Sequence, residues 1–509
     1  VDGIWLNPFF ESPFLDAGYD ISDYYRVATR YGTNEDAKQL FAEAHRRGMK
    51  VLFDFVPSYT SIEHPWFQAS ARQEKNPYTN WYIWTDNAWE NLPDSMKDRF
   101  IQGYSRRDGQ FMRNFYWSQP ALNFGFAEPE RPWQLPVDHP DVIAMREELK
   151  RVVRFWMDLG ADGFRADMAG ALVKTAAPQG WSQRQGEGTM AFWREIREIL
   201  ERDYPGSFMV SEWSFPMAAI AGGFHADFYH WFDGFNDLFQ KESWRILNGR
   251  SEGYSFFDQA GKGNITKFLN NYLWHLQAVK ERGYISIPIG NHDLARLTIQ
   301  RTDDELELIF AFLLTLPGIP FIYYGNEIGM RQLYDLPNVE GAYPPRSGAR
   351  SPMQWSAGKN AGFSEASAQS LYLPVDSRSC DGRANAGEDF PNVAAQESDP
   401  GSLLNRVRKL IRLKKQEQAL AAYGEFVPLF ARENCYPFVY ARAAGNEIIL
   451  VALNPAGENK EAAFTANIDL TEKKLLAGKE IAIEGNNNRL KLTIPGQTYA
   501  IYKCSRTSK

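Results

Sequence analysis

The chain has few cysteines, no long apolar run and no excess of basic residues, and each of these absences excludes a class of protein. The three cysteines, Cys380, Cys435 and Cys504, are widely separated and odd in number, so they provide neither a disulfide framework nor the spacing of a metal site. No hydrophobic stretch approaches the roughly 20 residues of a membrane-spanning helix. A net charge of −7 and a pI of about 5.7 give no basic surface for nucleic acid, so we expect a small neutral or cationic partner.

The small number of cysteines also indicates a cellular compartment. Low cysteine usage favours a reducing environment, so we expect a cytoplasmic protein. No signal peptide is present, but the chain begins at Val1 rather than at Met, which leaves open a leader that has been removed. The seven histidines show no metal-ligand spacing. We therefore expect no catalytic metal and no cofactor.

Strand-like and helix-like patterns alternate through most of the 509 residues, which is the βα order of a parallel sheet. Thr33 and Asp36 are spaced as a capping box before the first helix, and Gly48 follows its end. We predict strands at residues 1–6, 50–56, 162–168, 207–213, 284–289 and 319–324, with another within 228–239. We predict helices at residues 34–47, 141–159, 189–202, 265–281, 306–316 and 402–415.

Two stretches depart from this alternation and indicate further domains. Residues 57–136 are rich in Trp, Tyr, Asn, Pro and Arg, and a structureless loop of that length is unusual. From about Gly424 onward, short alternating runs are separated by Gly, Asn and Pro, which is typical of an all-β domain. We therefore predict an α/β barrel in residues 1–56 and 137–420, an inserted domain in 57–136 and a β domain in 421–509.

An arginine and an aspartate interrupt an otherwise apolar strand, Gly163-Phe164-Arg165-Ala166-Asp167-Met168. Residues two apart in a strand lie on the same face, so Arg165 and Asp167 should be neighbours. A guanidinium lowers the pKa of an adjacent carboxyl, so Asp167 should stay ionised, as a carboxylate nucleophile must. The alternative is a structural ion pair at the end of a strand.

Two further carboxylates, Glu212 and Asp293, also lie at or just beyond the ends of predicted strands, as Asp167 does. The active sites of α/β barrels are built from residues at these strand ends. Glycoside cleavage needs one ionised carboxylate and one carboxyl group with a raised pKa. The apolar neighbours Trp213 and Phe215 should raise the pKa of Glu212, which we predict to be the acid.

On these grounds Asp167 is the candidate nucleophile, and His292 and Asp293 are candidates for binding sugar hydroxyls and stabilising positive charge. An aldolase or a metal-dependent barrel enzyme is an open alternative at this level of evidence.

Five motifs, in the order in which they occur along nearly the whole chain, resemble those of the α-amylase superfamily of glycoside hydrolases, family 13. The pattern is most similar to that of the branch containing oligo-1,6-glucosidases, α-glucosidases and trehalose synthases. The resemblance implies a (β/α)8 TIM barrel, an inserted domain after strand 3 and a C-terminal β-sandwich. The motifs are Gly18–Tyr24, Gly163–Met168, Ser211–Trp213, Gly290–Asp293 and Arg350–Trp355.

The resemblance also implies a retaining double displacement. Asp167 matches the nucleophile, Glu212 the general acid/base and Asp293 the stabiliser of the transition state. Further residues match groups that bind the reacting sugar. Arg165 and His292 match two of these groups, Tyr19 matches the aromatic platform under the sugar ring, and Asp16 matches a carboxylate that binds the far hydroxyls of that ring. Arg350 either lines the mouth of the site or pairs with a surface acid.

Three positions depart from the family pattern. Ser58 and Tyr59 stand where the family has Asn and His, and Ala121 stands where this branch has Asp. The family's Asn often serves a calcium site in amylases, so we predict no calcium here. Tyr59 should contact the substrate in place of the His, with altered ring selectivity or turnover.

The family's first strand and helix precede the strand at residues 1–6, and the sequence contains neither. A barrel that lacks a strand has two open edges. We therefore expect the native chain to carry roughly 30–40 additional N-terminal residues, about one βα unit.

The function expected from the sequence is that of a retaining glycoside hydrolase acting on α-glucosidic bonds of oligosaccharides or starch fragments. A sugar isomerase or transglycosylase would use the same carboxylates and differs only in what attacks the glycosyl-enzyme. A lesser alternative is a non-catalytic relative that serves as a binding module.

Overall fold

The computed structural model describes residues 1–175, 186–230, 234–239, 254–341, 346–376, 390–486 and 488–506. The chain divides into two compact units, Val1–Phe228 and Tyr229–Lys509. In the described parts, no helix has both the length and the apolar character needed to cross a membrane. Cys435 and Cys504 are free thiols, and Cys380 lies outside the described residues.

The first unit contains a parallel sheet with the strand order β1-β4-β7-β8-β9. Its strands are β1 Gly3–Trp5, β2 Phe10–Glu11, β3 Asp23–Val27, β4 Lys50–Phe55, β5 Phe100–Ile101, β6 Phe111–Met112, β7 Gly163–Ala166, β8 Phe208–Ser211 and β9 Ala226–Phe228. Its helices are α1 Asn34–Arg46, α2 Pro65–Ser70, α3 Asp94–Lys97, α4 Pro140–Leu159, α5 Glu187–Asp203 and α6 Pro216–Ala221.

Local sequence explains where the helices of this unit begin and end. At the start of α1, the Thr33 side chain accepts from the Asp36 amide while the Asp36 side chain accepts from the Thr33 amide, so the predicted capping box is confirmed. Helix α4 ends at Gly160 in the left-handed region, which glycine adopts without strain. The buried faces of α4 and α5 contribute Trp156 and Trp193 to the core of the sheet.

The predicted strands of this sheet form, but each is shorter than its apolar run. Strand β7 ends one residue before Asp167 and β8 ends one residue before Glu212. The Asp167 amide donates to the Phe55 carbonyl (2.8 Å), and the Glu212 amide donates to the Ala166 carbonyl (2.9 Å). The ladder therefore extends by one hydrogen bond to each of these two residues, and it fixes the backbone of both.

The stretch predicted as an inserted domain has little regular structure but a core of its own. It contains α2, α3 and the short hairpin of β5 and β6, with Tyr59 bridged to Ala121 and Tyr82 bridged to Leu122. Its separate cluster of buried side chains consists of Ile83, Leu92, Met96, Phe100, Met112, Ala121, Phe126 and Trp133. The boundaries at residues 56 and 136, like the one at 420, stay predictions.

The second unit begins with helical structure and ends in β structure. Its strands are β10 Tyr284–Ser286, β11 Glu425–Phe430, β12 Phe438–Ala444, β13 Glu447–Asn454, β14 Lys460–Thr465, β15 Ile468–Gly478, β16 Ala482–Asn486, β17 Arg489–Ile494 and β18 Thr498–Arg506. Its helices are α7 Asn236–Phe239, α8 Thr266–Val279, α9 Asp303–Thr315, α10 Arg346–Ala349, α11 Val393–Ser398 and α12 Leu403–Gln416.

Two strand predictions were wrong in part. Residues 319–324 do not form a strand, and a single parallel bridge joins Phe321 to Pro288. The stretch 228–239 holds the end of β9 and then α7, with residues 231–233 outside the described parts. Apolar, aromatic-rich runs do not distinguish a short strand from a buried irregular segment.

The C-terminal β domain is confirmed. One antiparallel sheet has the order β11-β12-β13-β18-β15 and the other has the order β14-β17-β16. Side chains from both sheets share one buried core, including Val439 and Leu450 from the first sheet and Ala462 and Leu492 from the second. Two sheets packed over a common core form a β-sandwich.

Candidate active site

A buried arginine in the first unit holds three carboxylates. Arg165 Nη1 lies 2.9 Å from Asp54 Oδ1 and 2.8 Å from Asp167 Oδ1, while its Nη2 lies 2.6 Å from Glu212 Oε2. The parallel register pairs Asp54 directly with Arg165, and Glu212 follows the next strand of the sheet. Three adjacent strands, β4, β7 and β8, therefore supply the four charged groups.

The charges of this cluster do not cancel, because one cation faces three carboxylates. Burial raises the pKa of Asp167 well above its usual range, Arg165 lowers it, and the neighbouring Glu212 and Asp54 raise it further. Burial likewise raises the pKa of Asp54 to about 6. The expectation that Arg165 keeps the pKa of Asp167 low was therefore wrong. A single guanidinium shared by three buried carboxylates does not offset their desolvation and mutual repulsion.

Two tyrosines donate to the carboxylates of this cluster. The Tyr59 hydroxyl donates to Asp167 Oδ2 at 3.1 Å, and the Tyr19 hydroxyl donates to Asp54 Oδ2 at 2.9 Å. Both side chains are buried. Burial and the charge of Asp167 raise the pKa of Tyr59, so its hydroxyl stays protonated and acts as a donor. Asp54 thus binds Tyr19 and Arg165.

Two of the three positions at which the sequence departs from the family pattern are paired in the structure. Tyr59 and Ala121 form an antiparallel bridge. On either side of it, the Thr60 amide donates to the Pro120 carbonyl (3.3 Å) and the Leu122 amide donates to the Ser58 carbonyl (3.0 Å). This pairing could not be predicted from local sequence patterns, because about sixty residues separate the two positions.

Asp16 is held in a buried turn of the first unit. Its Oδ2 accepts from Gln119 Nε2 at 2.8 Å, and its amide donates to Asp20 Oδ1 at 2.9 Å. Asp20 also accepts from the Ser12 hydroxyl and the Leu15 amide, which fixes the turn. Asp16 is therefore attached to the segment that carries Ala121, and this segment belongs to the stretch predicted as the inserted domain.

Glu212 is in contact with polar as well as apolar groups. Besides Arg165, its Oε2 accepts from the Met168 amide at 3.3 Å, and Met168 adopts a left-handed conformation with φ of 45°. Trp213 is buried and Phe215 packs against the core. The apolar flank is thus present as expected, but an ion pair to Arg165 accompanies it.

In the second unit, Asp293 lies beside two arginines and a histidine. Arg346 Nη2 lies 2.6 Å and Arg350 Nη2 3.3 Å from Asp293 Oδ1, and His292 Nε2 lies 3.4 Å from Asp293 Oδ2. Arg350 Nε also donates to the His292 carbonyl at 2.8 Å. Of the two readings of Arg350, pairing with an acid is the one observed, and that acid is largely buried. Arg346 was not among the predicted site residues, although a spacing of four places it on the same side as Arg350 where the chain is helical.

A metal centre is a separate question. Within the ranges that the structure describes, no group of three or more His, Cys, Asp or Glu side chains has an arrangement that could hold a metal ion.

Known proteins match the chain along most of its length. A family model described as the catalytic domain of alpha amylase matches residues 1–423. The trehalose synthase/amylase of Mycolicibacterium smegmatis is 31% identical over 452 residues, covering 83% of this chain and 70% of that protein. The oligo-1,6-glucosidase of Parageobacillus thermoglucosidasius is 28% identical over 513 residues, covering 89% of this chain and 83% of that protein.

The fold matches as well. The crystal structure of the α-amylase from H. orenii matches with a TM-score of 0.71 and 25% identity, covering 99% of this chain and 90% of that one. This match, the parallel sheet and the C-terminal sandwich confirm the predicted fold class. The family model covers well over half of the chain, which confirms the resemblance inferred from the five motifs. The chain belongs to the α-amylase family of glycoside hydrolases.

Proposed function

We propose that the protein is a retaining glycoside hydrolase that cleaves α-glucosidic bonds in oligosaccharides or starch fragments. The observation that carries this proposal is the position of Asp167 and Glu212 on the two terminal nitrogens of one buried arginine. A retaining glycosidase needs two carboxyl groups close together, one to attack and one to carry the proton.

In the proposed mechanism, an Asp167 oxygen attacks the anomeric carbon while Glu212 gives its proton to the departing glycosidic oxygen. The bond to the leaving sugar breaks, and a glucosyl ester of Asp167 forms. Glu212, now ionised, takes a proton from water, and the resulting hydroxide displaces Asp167 from the sugar. Two inversions at the same carbon retain the α configuration.

This division of roles needs a proton within the cluster around Arg165. Burial and the repulsion between the carboxylates raise the pKa values of Asp167 and Asp54, which favours a bound proton there. The mechanism assigns this proton to Glu212 in the substrate complex. Asp167 is then ionised and retains both its ion pair with Arg165 and its hydrogen bond from Tyr59.

The remaining residues are proposed to bind the sugar. Tyr19 would lie under the ring, and Asp16 would accept from its far hydroxyls, which favours a pocket that binds a chain end. Asp293 would stabilise the positive charge that develops at the anomeric carbon, with Arg350 and Arg346 fixing its carboxylate. His292 and Tyr59 are each proposed to bind sugar hydroxyls.

A second candidate is a sugar isomerase or transglycosylase. It is favoured by the similarity to a protein named trehalose synthase/amylase. The glucosyl ester would be the same, and a sugar hydroxyl would replace water in the second step. The buried setting of Asp167 suits either outcome.

Product analysis distinguishes these candidates. The enzyme would be incubated with maltose, isomaltose, trehalose, sucrose and starch, and the first products identified by chromatography and proton NMR. Hydrolysis with retention predicts α-glucose as the first-formed anomer, and an isomerase predicts a new disaccharide with little glucose. β-Glucose as the first product would contradict the retaining mechanism. No turnover of any substrate by the wild type would support a non-catalytic binding module.

A further inference from the structure

A further buried carboxylate, which none of the roles proposed above uses, contacts the residues on either side of Glu212. Asp227 ends the parallel pairing of β9 with β8, where it is in register with Ser211. Its side chain is fully buried. Sequence patterns gave no reason to single it out, because it falls in a short apolar strand without a motif.

Asp227 accepts hydrogen bonds from a side chain just before Glu212 and from the backbone just after it. The Ser211 hydroxyl donates to Asp227 Oδ1 at 2.7 Å, and the Trp213 amide donates to the same oxygen at 3.0 Å. The amides of Ser214 and Phe215 also lie close enough to lower the pKa of Asp227 against the effect of burial. One carboxylate therefore fixes the residue before Glu212 and the turn after it.

This turn has a conformation that other contacts alone would not readily maintain. Ser214 has a φ of 55°, in the left-handed region that non-glycine residues rarely adopt. The Ser214 hydroxyl donates to the Phe228 carbonyl at 3.1 Å, which attaches the same turn to β9 a second time. The Glu212 amide and carbonyl bind the neighbouring strand segment at Ala166 and Ala169.

We propose that Asp227 is a positioning residue for Glu212, and that it sets the direction in which the Glu212 carboxyl presents its proton to the leaving sugar. This rests on the proposed function of Glu212 as the general acid/base. A turn in a rarely adopted conformation needs a partner that holds it, and Asp227 Oδ1 accepts both from the Ser211 hydroxyl before Glu212 and from the Trp213 amide after it. An asparagine would direct an NH2 group or a single oxygen at those donors.

The test separates loss of acid catalysis from general damage by the choice of leaving group. The fluoride ion departs from α-glucosyl fluoride without being protonated, whereas the leaving sugar of a disaccharide must receive a proton as it departs. We compare wild type, D227N, E212Q and D167N by fluoride release in the first turnover and by kcat/KM on the disaccharide that wild type cleaves. S211A removes only the hydroxyl donor to Asp227 and serves as the milder variant.

The proposal predicts that D227N loses about 100-fold in kcat/KM on the disaccharide while first-turnover fluoride release changes little. S211A should show the same pattern to a smaller extent, and it keeps the test open if D227N fails to fold. Azide attacks without a base, so it should restore turnover of α-glucosyl fluoride in D227N, as in E212Q. D167N should lose both activities.

Equal losses by D227N on both substrates, or no loss on either, would overturn the positioning role while leaving that of Glu212 intact. If E212Q itself shows no difference between leaving groups, the assignment of Glu212 fails, and this proposal fails with it. The E212Q reference therefore distinguishes failure of the inference from failure of the proposed function.

Discussion

The charge balance around Arg165 is the feature of single residues that most constrains the chemistry. One guanidinium binds Asp54, Asp167 and Glu212, so the three carboxylates share a single cation, and the pKa values of Asp54 and Asp167 are raised. The pairing of Arg165 with Asp167 could be predicted because the two are neighbours on one strand face. The contributions of Asp54 and Glu212 could not, because they depend on the register between strands that are distant in sequence.

Tyr59 should influence the ionisation of Asp167. Its hydroxyl donates to Asp167 Oδ2 at 3.1 Å, and a hydrogen bond to the ionised form of a carboxyl favours that form. In Y59F the pKa of Asp167 should rise, so the acidic limb of the pH dependence of kcat/KM should move to higher pH.

Y82F is the matched control for Y59F, because the equally buried Tyr82 hydroxyl bonds to Thr60 rather than to Asp167. We expect Y82F to leave the acidic limb where it is in wild type. Identical acidic limbs in Y59F and wild type would show that Tyr59 does not act on the nucleophile.

Asp227 should make stability depend on pH in the opposite sense to an ion-paired aspartate. Burial raises the pKa of Asp227 to about 7, against about 3.9 in an unfolded chain. Between these values the folded protein holds a proton that the unfolded chain releases. The contribution to the free energy of unfolding is therefore largest below about pH 4 and is lost as the pH rises through about 7.

D227N lacks this titration. Urea unfolding measures the free energy of unfolding of both proteins. Between about pH 4 and about pH 7 this free energy should fall by a few kcal/mol more in wild type than in D227N, at about 1.4 kcal/mol for each tenfold change in proton affinity. Parallel pH dependences of the two proteins would mean that Asp227 is ionised throughout this range.

At the scale of elements, strand β7 approaches β8 so closely that only glycine fits at its first residue. Gly163 has a φ of 141°, and a Cβ atom there would lie 1.9 Å from the Phe208 carbonyl oxygen. This contact brings Arg165 and Glu212 together from adjacent strands. The glycine was part of a recognised motif, but the reason for it is visible only in the register of β7 and β8.

G163A should therefore destabilise the protein by about 3 kcal/mol or more, through backbone strain together with the clash. Gly206 provides the comparison, since it also has a positive φ, of 85°, but a Cβ there would meet nothing within 4 Å. G206A should cost about 1 kcal/mol. Equal losses in denaturant unfolding would indicate that the two strands can separate without penalty.

The elements differ in how well the sequence predicted them. Helices with a clear apolar stripe and end signals, such as α1, α4 and α12, begin and end within two residues of the predicted positions. Strands are shorter than predicted, because an apolar run continues into buried loop residues beyond the last ladder hydrogen bond. The segment at residues 319–324 is the extreme case, since only Phe321 pairs.

For the molecule as a whole, family membership and fold class could be predicted from five short motifs, because their order along the chain is specific. Two of them, Gly163–Met168 and Ser211–Trp213, lie at the ends of β7 and β8, where barrel enzymes carry their chemistry. The positions where the chain departs from the family, Tyr59 and Ala121, could be recognised but their pairing could not. Asp227 and Arg346 were missed, since neither belongs to a motif that had been recognised.

The proposed mechanism requires Asp167 to form a covalent bond to the sugar. E212Q removes the proposed acid/base, so with α-glucosyl fluoride it should form the glucosyl ester and be unable to hydrolyse it. After quenching in acid, mass spectrometry of proteolytic fragments should find one glucosyl group, attached to the peptide that contains Asp167. The same treatment of D167N should leave that peptide unmodified. Fluoride release by E212Q without any labelled peptide, or a label on another residue, would contradict the account.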